Sequence, residues 1–298
     1  MRVCTFEASG RTRAGVIAGD STVMAVGDLV RGAPEDVLGV IAAGPATWDR
    51  MRAAAAKAKG GTPADRAKLR APIPAPRRNV FCVGWNYFSH FAEGEGKRGL
   101  NAPAEMPEHP SFFSKNPNTV IGPDAEIRHS KPLSDQLDWE VELAVVIGVA
   151  GADIPELEAL DHVFGYTVGN DVSVRDVQMK WHGGQWFKGK NLDTHLPLGP
   201  WIVTADELPN AQDSRLCSRV NGVTKQDSRT ALMVFKVPRI IAELSAGLRL
   251  EPGDIIMTGT PEGVGVYRTP PEFLKVGDTV EVEIEGIGVL RNVVRGRT

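Results

Sequence analysis

The stretch 137–148, LDWEVELAVVIG, constrains the fold of this chain more than any other segment. It begins with alternating polar and apolar residues and ends in an apolar run, which is typical of a half-buried strand that enters a hydrophobic core. Because side chains alternate across a strand, Glu140 and Glu142 share one face, while Trp139 and Val141 share the other. The fold must therefore accommodate two carboxylates on one core strand, with their Cα atoms roughly 6–7 Å apart.

Carboxylates that lie together at the edge of a core repel each other and resist burial, so they need a cation nearby. Asp171 adds a third acid, since it follows an apolar stretch and lies among small and apolar residues. Three carboxylates without a pair of cysteines or histidines suit a hard ion that prefers oxygen ligands. The pattern therefore predicts a Mg²⁺ or Mn²⁺ site. In the alternative interpretation, the acids form a solvated strand face and pair with lysines.

Composition and charge narrow the class of protein. With 298 residues, 42% hydrophobic and 24% charged, the chain can form one large globular domain or two unequal ones. A formal net charge of −3 without a long basic run argues against a nucleic-acid partner. Cys4, Cys82 and Cys217 are scattered and odd in number, which predicts no disulfide framework or zinc site and favours a reducing compartment.

The expected location is the cytoplasm, with no membrane partner. No apolar run is long enough to cross a bilayer. Glu7 also stands where a signal peptide would be apolar.

The first part of the chain differs in pattern from the rest. Short alternating pieces within residues 1–30 predict a small β-meander, and a helix is predicted to begin at Thr47 as its cap. A proline-rich connector follows. We therefore predict a small N-terminal β/α domain at 1–70, a linker at 71–78 and a larger domain at 79–298.

The larger part is rich in strands and poor in helices. The pattern predicts strands at 79–84, 254–258 and 279–284, short helices at 86–93, 156–163 and 238–246, and an Asn-Gly hairpin at 220–223. The polar segment 94–110 is predicted to be a mobile lid. Because helices do not alternate regularly with strands, the fold class is α+β and mostly β, not an open Rossmann sheet or a barrel.

Other polar groups could add chemistry to the acids. His90 and Glu93 stand three residues apart, so on a helix the carboxylate can orient the imidazole to draw a proton from water. A surface histidine beside a chance acid would show the same spacing. Lys190 could attract an anionic substrate or simply be solvated. The glycine-containing segment 258–265 could present N–H groups and the Thr260 hydroxyl to a carboxylate, or form a plain turn.

Five short motifs occur in order along the larger part of the chain. They are Asn86-Tyr87-x-x-His90-x-x-Glu93, Glu140-x-Glu142, Asn170-Asp171-x-x-x-Arg175-Asp176-x-Gln178, Gly189-Lys190-x-x-Asp193 and Thr258-Gly259-Thr260-Pro261-x-Gly263-Val264-Gly265. Each is weak alone, but the set resembles the fumarylacetoacetate hydrolase family from about residue 78 to the end of the chain. Residues 1–70 resemble the small, variable N-terminal domain of the longer members.

The resemblance implies a fold and a set of roles. It implies a mixed β-roll catalytic domain with a few short helices, a homodimer, and Mg²⁺ or Mn²⁺ bound by Glu140, Glu142 and Asp171. It makes His90 and Glu93 a water-activating dyad on a lid, and Lys190 the group that stabilises developing charge. It also implies that Tyr87, Gln178, Lys190 and Thr260 contact the substrate, a small-molecule 2-oxo acid.

The first functional hypothesis is a divalent-metal-dependent hydrolase that cleaves a C–C bond in a small β-diketo acid, such as an acylpyruvate or fumarylpyruvate, through an enolate. A 2-oxo acid chelates a divalent ion through its carboxylate and keto oxygens, and the His90–Glu93 pair favours attack by water. The closest alternative is an isomerase or decarboxylase of 2-oxo or 2-hydroxymuconate-type acids, such as 5-carboxymethyl-2-hydroxymuconate or oxaloacetate. A non-catalytic β-domain with a structural cation site is the alternative from another class.

Overall fold

The fold is that of a computed structural model, which describes residues 1–8, 10–19, 21–99 and 102–296. The strands are β1 (Arg2–Ala8), β2 (Arg11–Ile17), β3 (Thr22–Ala25), β4 (Thr62–Pro63), β5 (Leu69–Arg70), β6 (Val80–Gly84), β7 (Ser111–Lys115), β8 (Val120–Ile121), β9 (Glu126–His129), β10 (Leu137–Asp138), β11 (Val141–Ile147), β12 (Val163–Asn170), β13 (Ser173–Val174), β14 (Leu196–Thr204), β15 (Arg215–Val220), β16 (Val223–Arg229), β17 (Ile255–Met257), β18 (Thr279–Ile284) and β19 (Gly288–Gly296).

The helices of the described residues are short. The α-helices are α1 (Val26–Leu29), α2 (Val37–Ala42), α3 (Pro45–Lys57), α4 (Phe88–Glu93), α5 (Arg175–Lys180), α6 (Phe187–Lys190) and α7 (Val237–Ser245). The 3₁₀ helices are Pro117–Thr119, Glu156–His162, His182–Gly184, Ala211–Asp213, Thr230–Leu232 and Gly265–Tyr267. Across the described ranges, no helix combines the length and apolar character that a membrane span requires.

The strands form one large mixed sheet and two smaller sheets. The large sheet has the order β4-β3-β2-β1-β14-β12-β11-β17-β6-β7, with β5 also paired to β1 and β8 to β14. The second sheet has the order β16-β15-β18-β19-β9, and β10 pairs with β13. Most pairs are antiparallel, whereas β17–β6, β14–β8 and β19–β9 are parallel. This architecture confirms the predicted α+β, mostly β class.

Strand β11 lies inside the large sheet with both faces buried, not half-buried as its alternating start suggested. Its odd-numbered residues from Val141 to Ile147 pack in a core with α7 and the second sheet. Its even-numbered residues Ala144 and Val146 pack in another core with α2 and α3. Two-sided burial explains the continuous apolar run in the sequence. The chain leaves the strand conformation between β10 and β11, at Trp139 and Glu140.

The first strands of the chain form the predicted β-meander and extend the large sheet. β1 pairs with β2 and β2 with β3, all antiparallel. β1 also pairs with β14, where Arg2 lies opposite Val203 and Val3 opposite Ile202. Helices α2 and α3 then cover one face of that sheet. The domain boundary at 71–78 stays a prediction.

Helix α3 begins at Pro45, after Gly44, and not at the predicted Thr47 cap. Gly44 has φ 77°, a left-handed conformation that glycine adopts without cost, and proline suits a first helical turn because its missing N–H is not needed there. Thr47 is instead buried inside the helix. The helix predicted at 156–163 is of the 3₁₀ type.

The predicted hairpin at 220–223 joins β15 to β16. Asn221 and Gly222 have φ 51° and 78°, and both values are positive as a type I′ turn requires.

The segment 94–110 contacts the rest of the fold at several points. Lys97 Nζ donates to the Tyr267 carbonyl at 3.1 Å, and His109 Nδ1 lies 2.9 Å from Glu243 Oε1. Leu100 and Asn101, which belong to this segment, lie outside the described residues. The mobility of the segment stays a prediction.

Candidate active site

The pairing of β11 with β12 brings two of the predicted carboxylates together. Val141 lies opposite Asn170, so Glu140, just before β11, lies beside Asp171, just after β12. The Asp171 N–H donates to the Glu140 carbonyl at 2.9 Å, and the Glu140 N–H donates to Asn170 Oδ1 at 3.0 Å. The two strand ends therefore fix the backbone that carries both acids.

The third carboxylate, Glu142, belongs to β11 itself. Carboxylate oxygens of Glu140, Glu142 and Asp171 lie within 4.8 Å of one another. The three residues are 4%, 1% and 0% exposed, so they are not a solvated strand face. The Gly259 N–H donates to Glu142 Oε2 at 2.8 Å. The fold thus buries three acids around one point.

Three buried cations face two of these acids. Lys190 Nζ lies 2.7 Å from Glu140 Oε2 and 2.8 Å from Asp171 Oδ2. Lys115 Nζ lies 2.7 Å from Asp171 Oδ1, and Arg175 Nη1 lies 2.7 Å from Glu140 Oε1. Such pairing is needed because an unpaired buried charge is costly. Within the described residues, no ion pair of this kind reaches the third acid.

The pKa values reflect this unequal pairing. Burial opposes ionisation of Glu140, but Lys190 and Arg175 outweigh it and lower the pKa of Glu140 to about 2. Burial raises the pKa of Glu142 well above its ordinary value, and the charges of Asp171 and Glu140 add to this effect. Negative charge is therefore least compensated at Glu142, where a further cation would be most stabilising.

Asp138 holds Arg175 in place through a second, buried ion pair. Arg175 Nε lies 2.8 Å from Asp138 Oδ2, and the same carboxylate accepts from the N–H groups of Gly265 at 2.7 Å and Val266 at 3.0 Å. Arg175 Nη1 also donates to Gln178 Oε1 at 3.1 Å. Arg175 Nη2 is buried and has no hydrogen-bond partner in the described part of the chain. The guanidinium is thus held at Nε and Nη1, and among the described residues the two N–H groups of Nη2 are left without a partner.

His90 and Glu93 share one face of α4, as their spacing predicts. His90 Nδ1 lies 2.7 Å from Glu93 Oε1, and Glu93 Oε2 accepts from the Gly263 N–H at 2.8 Å. Because Nδ1 is held by the carboxylate, Nε2 is the ring nitrogen that can exchange a proton with another molecule.

One cavity connects these groups and encloses about 510 Å³, including its open mouth. The predicted site residues that line it are His90, Glu140, Glu142, Gln178, Lys190 and Thr260. Asp171 and Glu93 do not line it, but they contact Lys190 and His90, which do. The structure therefore brings eight of the nine predicted site residues to one place.

Tyr87 differs from the other eight, because it does not line the cavity and its hydroxyl has no hydrogen-bond partner among the described residues. It is 0% exposed and packs in the hydrophobic core with Val141 and Leu143. Thr260 lines the cavity, but its hydroxyl donates to the Val141 carbonyl at 2.9 Å and accepts from Gln226 Nε2 at 2.8 Å. The roles of Tyr87 and Thr260 as substrate contacts stay predictions.

Comparison with known proteins shows which family the chain belongs to. Residues 79–295 match the fumarylacetoacetate (FAA) hydrolase C-terminal family. The chain belongs to this family. It is 43% identical over 261 residues to a mitochondrial oxaloacetate tautomerase of Homo sapiens, covering 88% of this chain and 80% of the human protein. It is 44% identical over 227 residues to an oxaloacetate tautomerase of Bacillus subtilis, covering 76% and 73% of the two chains.

A solved member of the family shares the whole fold. The fumarylacetoacetate hydrolase of Exiguobacterium antarcticum matches with a TM-score of 0.81 and 38% identity, and 100% of each chain is covered. The match confirms the family resemblance and the fold drawn from the motifs.

Enzymes of the fumarylacetoacetate hydrolase family bind a divalent metal, and the donors in this member fit such an ion. Three carboxylates with oxygens within 4.8 Å of one another are hard ligands of the type that these ions prefer. The raised pKa of Glu142 adds a physical reason, since this acid lacks the ion pairs that stabilise the other two. Glu140, Glu142 and Asp171 could therefore hold the ion.

Sequence reasoning missed several residues that complete the site. Lys115 is 0% exposed and pairs with Asp171, but a lone lysine in β7 carries no local signal of burial. Asp138 and Arg175 stand inside the motif region without a predicted role. The signal available in the sequence was their position next to apolar strand residues, because an arginine that is buried there needs an acid partner. Arg98 also lines the cavity, from the polar segment 94–110, which was predicted to be a mobile lid without a role for this arginine.

Proposed function

We propose that the protein interconverts the keto and enol forms of a small 2-oxo dicarboxylic acid, with oxaloacetate as the expected substrate. The observation that carries this proposal is the likeness, over 88% of the chain, to a protein named as an oxaloacetate tautomerase. The Bacillus subtilis relative has the same description. These relatives support the isomerase or decarboxylase alternative better than the hydrolase that was the first hypothesis from the sequence.

Glu140, Glu142 and Asp171 would hold the divalent ion, for which Mg²⁺ or Mn²⁺ suits an all-carboxylate site. When bound, the ion supplies electrostatic stabilisation to negative charge on the oxygens of a 2-oxo acid. Lys190, which lies 2.7 Å from Glu140 Oε2, adds positive charge on the same side of the cavity. An anionic substrate would therefore bind close to positive charge at the end of the cavity that holds Lys190 and the three acids.

The His90–Glu93 pair would move the proton. Conversion of the keto form to the enol form removes a proton from C3 and adds one to the oxygen on C2. We assign the C3 proton to His90 Nε2, because Glu93 holds Nδ1 at 2.7 Å and stabilises the imidazolium that forms. The Gly263 N–H fixes Glu93 in turn at 2.8 Å. The proton on Nε2 then passes to the oxygen on C2, which completes the enol and regenerates the neutral imidazole, and the reverse reaction runs the two transfers backwards.

Two guanidinium groups suit the two carboxylates of a dicarboxylic acid. Arg175 Nη2 is a buried donor with no partner among the described residues, so it can donate to one of them. Arg98 lines the same cavity. Its Nη1 donates to the Pro103 carbonyl at 3.0 Å, and its Cζ lies 3.8 Å from the centroid of the Phe91 ring. No acidic side chain in the described ranges forms an ion pair with Arg98. A second carboxylate would therefore give it a charged partner.

Hydrolysis of an acylpyruvate or fumarylpyruvate is the second candidate function. The similarity to the hydrolase of Exiguobacterium antarcticum favours it, and the same dyad could take a proton from water. Under either function we expect a homodimer in the cytoplasm, with Gln178 and Thr260 near the substrate.

Parallel assays of one purified sample test the proposal. With Mg²⁺ or Mn²⁺ present, we expect enol oxaloacetate to convert to the keto form faster than in buffer alone, as followed by the loss of enol absorbance. Pyruvate release from oxaloacetate and cleavage of acylpyruvates are measured beside it to rank decarboxylation and hydrolysis. Chelation by EDTA and the Glu140→Gln variant serve as controls. Acylpyruvate cleavage without any acceleration of tautomerisation would contradict the proposal and favour the hydrolase.

A further inference from the structure

An aromatic wall closes one end of the candidate active site. Trp85, Phe113 and Trp186 line the active-site cavity, and the same three residues line a second, shallower groove on their other side. That groove encloses about 890 Å³, including open solvent. The cavity and the groove therefore share these three aromatic residues as a common boundary.

The wall is built by edge-to-face contacts between its rings. The ring centroids of Trp85 and Trp186 lie 4.6 Å apart with an interplanar angle of 81°. Those of Phe113 and Trp186 lie 5.3 Å apart at 78°. Both values are typical of favourable aromatic pairs. Trp186 is the central member, since it contacts both of the others.

The backbone around the wall is specialised to hold Trp186 in place. A Cβ on Gly84 would lie 2.4 Å from the Trp186 ring, so only glycine lets the ring lie against the end of β6. Trp85 has φ 52°, a left-handed conformation that is uncommon for a bulky residue. The Trp186 carbonyl accepts from the Lys190 N–H at 3.1 Å, which ties the wall to the helix that carries the active-site lysine.

The two sides of the wall differ in chemistry. The cavity side carries Glu140, Arg175 and Lys190, which suit a charged substrate. The groove side includes Phe112 and Phe187, which are 39% and 53% exposed. An apolar chain that passed the wall would leave water and cover these exposed rings.

We infer that Trp186 sets the maximum length of the substrate, by closing the cavity against the apolar groove and restricting it to short 2-oxo acids. The inference rests on the proposed function in one respect, which is that the ligand is a 2-oxo acid. Loss of the indole joins the cavity to the groove, so longer apolar tails then gain binding surface. Trp186 is a specificity residue in this view and takes no part in proton transfer.

Binding of a graded ligand series tests this without relying on turnover. The probes are oxamate and N-alkyl oxamates from methyl to hexyl, which keep the 2-oxo acid head and lengthen only the tail. Calorimetry in the presence of Mg²⁺ gives their affinities for the wild type, for Trp186→Ala and for the control Phe187→Ala. Phe187 is the matched control because it lines the groove but not the cavity.

In the wild type, we expect affinity to fall once the tail reaches the wall. In Trp186→Ala, each methylene that reaches the groove should raise affinity by about fourfold, so N-hexyl oxamate should bind at least about tenfold tighter than to the wild type. Oxamate itself should bind both proteins alike. Phe187→Ala should keep the wild-type dependence on chain length.

The same series separates the possible failures. If oxamate binds and chain length affects wild type and Trp186→Ala equally, the wall does not limit length and the inference is overturned. If oxamate binds none of the proteins, the 2-oxo acid assignment fails, and this inference fails with it. Should Trp186→Ala lose its fold by circular dichroism, Trp186→Phe decides, because its smaller ring should still improve binding of the propyl and longer probes.

Discussion

The Nζ atom of Lys190 lies 2.7 Å from Glu140 Oε2, and both residues are almost fully buried. The same atom lies 2.8 Å from Asp171 Oδ2, so one lysine bridges two carboxylates of the acidic cluster. A divalent ion held by these acids would share them with the ammonium group. In the proposed function, Lys190 would therefore both attract an anionic substrate and compete with a bound metal for negative charge.

Replacing this lysine should separate the two effects. We expect Lys190→Met to bind Mg²⁺ or Mn²⁺ at least about tenfold more tightly, because a repelling charge is removed and two carboxylates lose their partner. Turnover should nevertheless fall by roughly 10²-fold, since the positive charge beside the substrate is lost. Calorimetry and the tautomerase assay measure the two quantities. Lys188→Met, at an exposed position on the same helix, is the control. Weaker metal binding in Lys190→Met would contradict this account.

Replacing Glu142 or Glu140 by a neutral residue should change the stability of the metal-free protein in opposite directions. Burial and the neighbouring acids raise the pKa of Glu142, so Glu142→Gln should stabilise the metal-free protein, with a rise in melting temperature of about 2–4 °C. Glu140→Gln should lower it, because Lys190 and Arg175 lose a partner. Both variants should lose the stabilisation that added Mg²⁺ gives the wild type. Thermal scans with EDTA and with Mg²⁺ test this, and a fall in melting temperature for Glu142→Gln in EDTA would refute the charge argument.

The three acids could be predicted from the sequence because each of these carboxylates stands next to apolar strand residues. Glu140 and Asp171 lie at strand ends, where polar residues interrupt apolar runs, and that interruption is visible without a structure. Their common location was less visible, because it depends on the register that sets Val141 opposite Asn170. Strand register is decided by tertiary packing and is not written in either segment alone.

The unpredicted parts share one physical cause, which is burial imposed by distant partners. Lys115 can be buried because its Nζ lies 2.7 Å from Asp171 Oδ1, which compensates its charge, although the two residues are far apart in sequence. Strand β11 is covered on its second face by α2 and α3, so an alternating pattern suggested more exposure than it has. The wall residue Trp186 depends on contacts with Trp85 and Phe113 from two other segments. Local periodicity carries no information about such partners.

The His90–Glu93 pair should matter for proton transfer and not for binding. We expect His90→Ala to lower the rate of tautomerisation by roughly 10²–10⁴-fold, the usual contribution of a positioned base. Affinity for oxalate and for the divalent ion should change little, because the predicted metal ligands are other residues. Ser89→Ala, which changes the neighbouring residue on α4, is the control. A rate close to that of the wild type in His90→Ala would remove the histidine from the mechanism.

The buried His195 should make the fold sensitive to acid. Its side chain is 0% exposed, and Nε2 donates to the Arg128 carbonyl at 3.1 Å. Burial, with a further contribution from the charge of Lys115, lowers the pKa of His195 to about 3. In the unfolded chain the pKa returns to about 6.5. Between these values the unfolded state binds a proton that the folded state does not.

This difference fixes the direction of the pH effect. Above about pH 6.5 the histidine is neutral in both states and adds no slope. As pH falls from there towards 3, His195 should lower the free energy of unfolding by about 1.4 kcal/mol per pH unit. His195→Asn removes the titrating group, so the stability gap between wild type and variant should narrow as the pH is lowered. Urea unfolding between about pH 7.5 and 4.5 measures that gap, with the exposed His109→Asn as control. A gap that stays constant across this range would show that His195 takes up a proton in the folded protein as readily as in the unfolded chain.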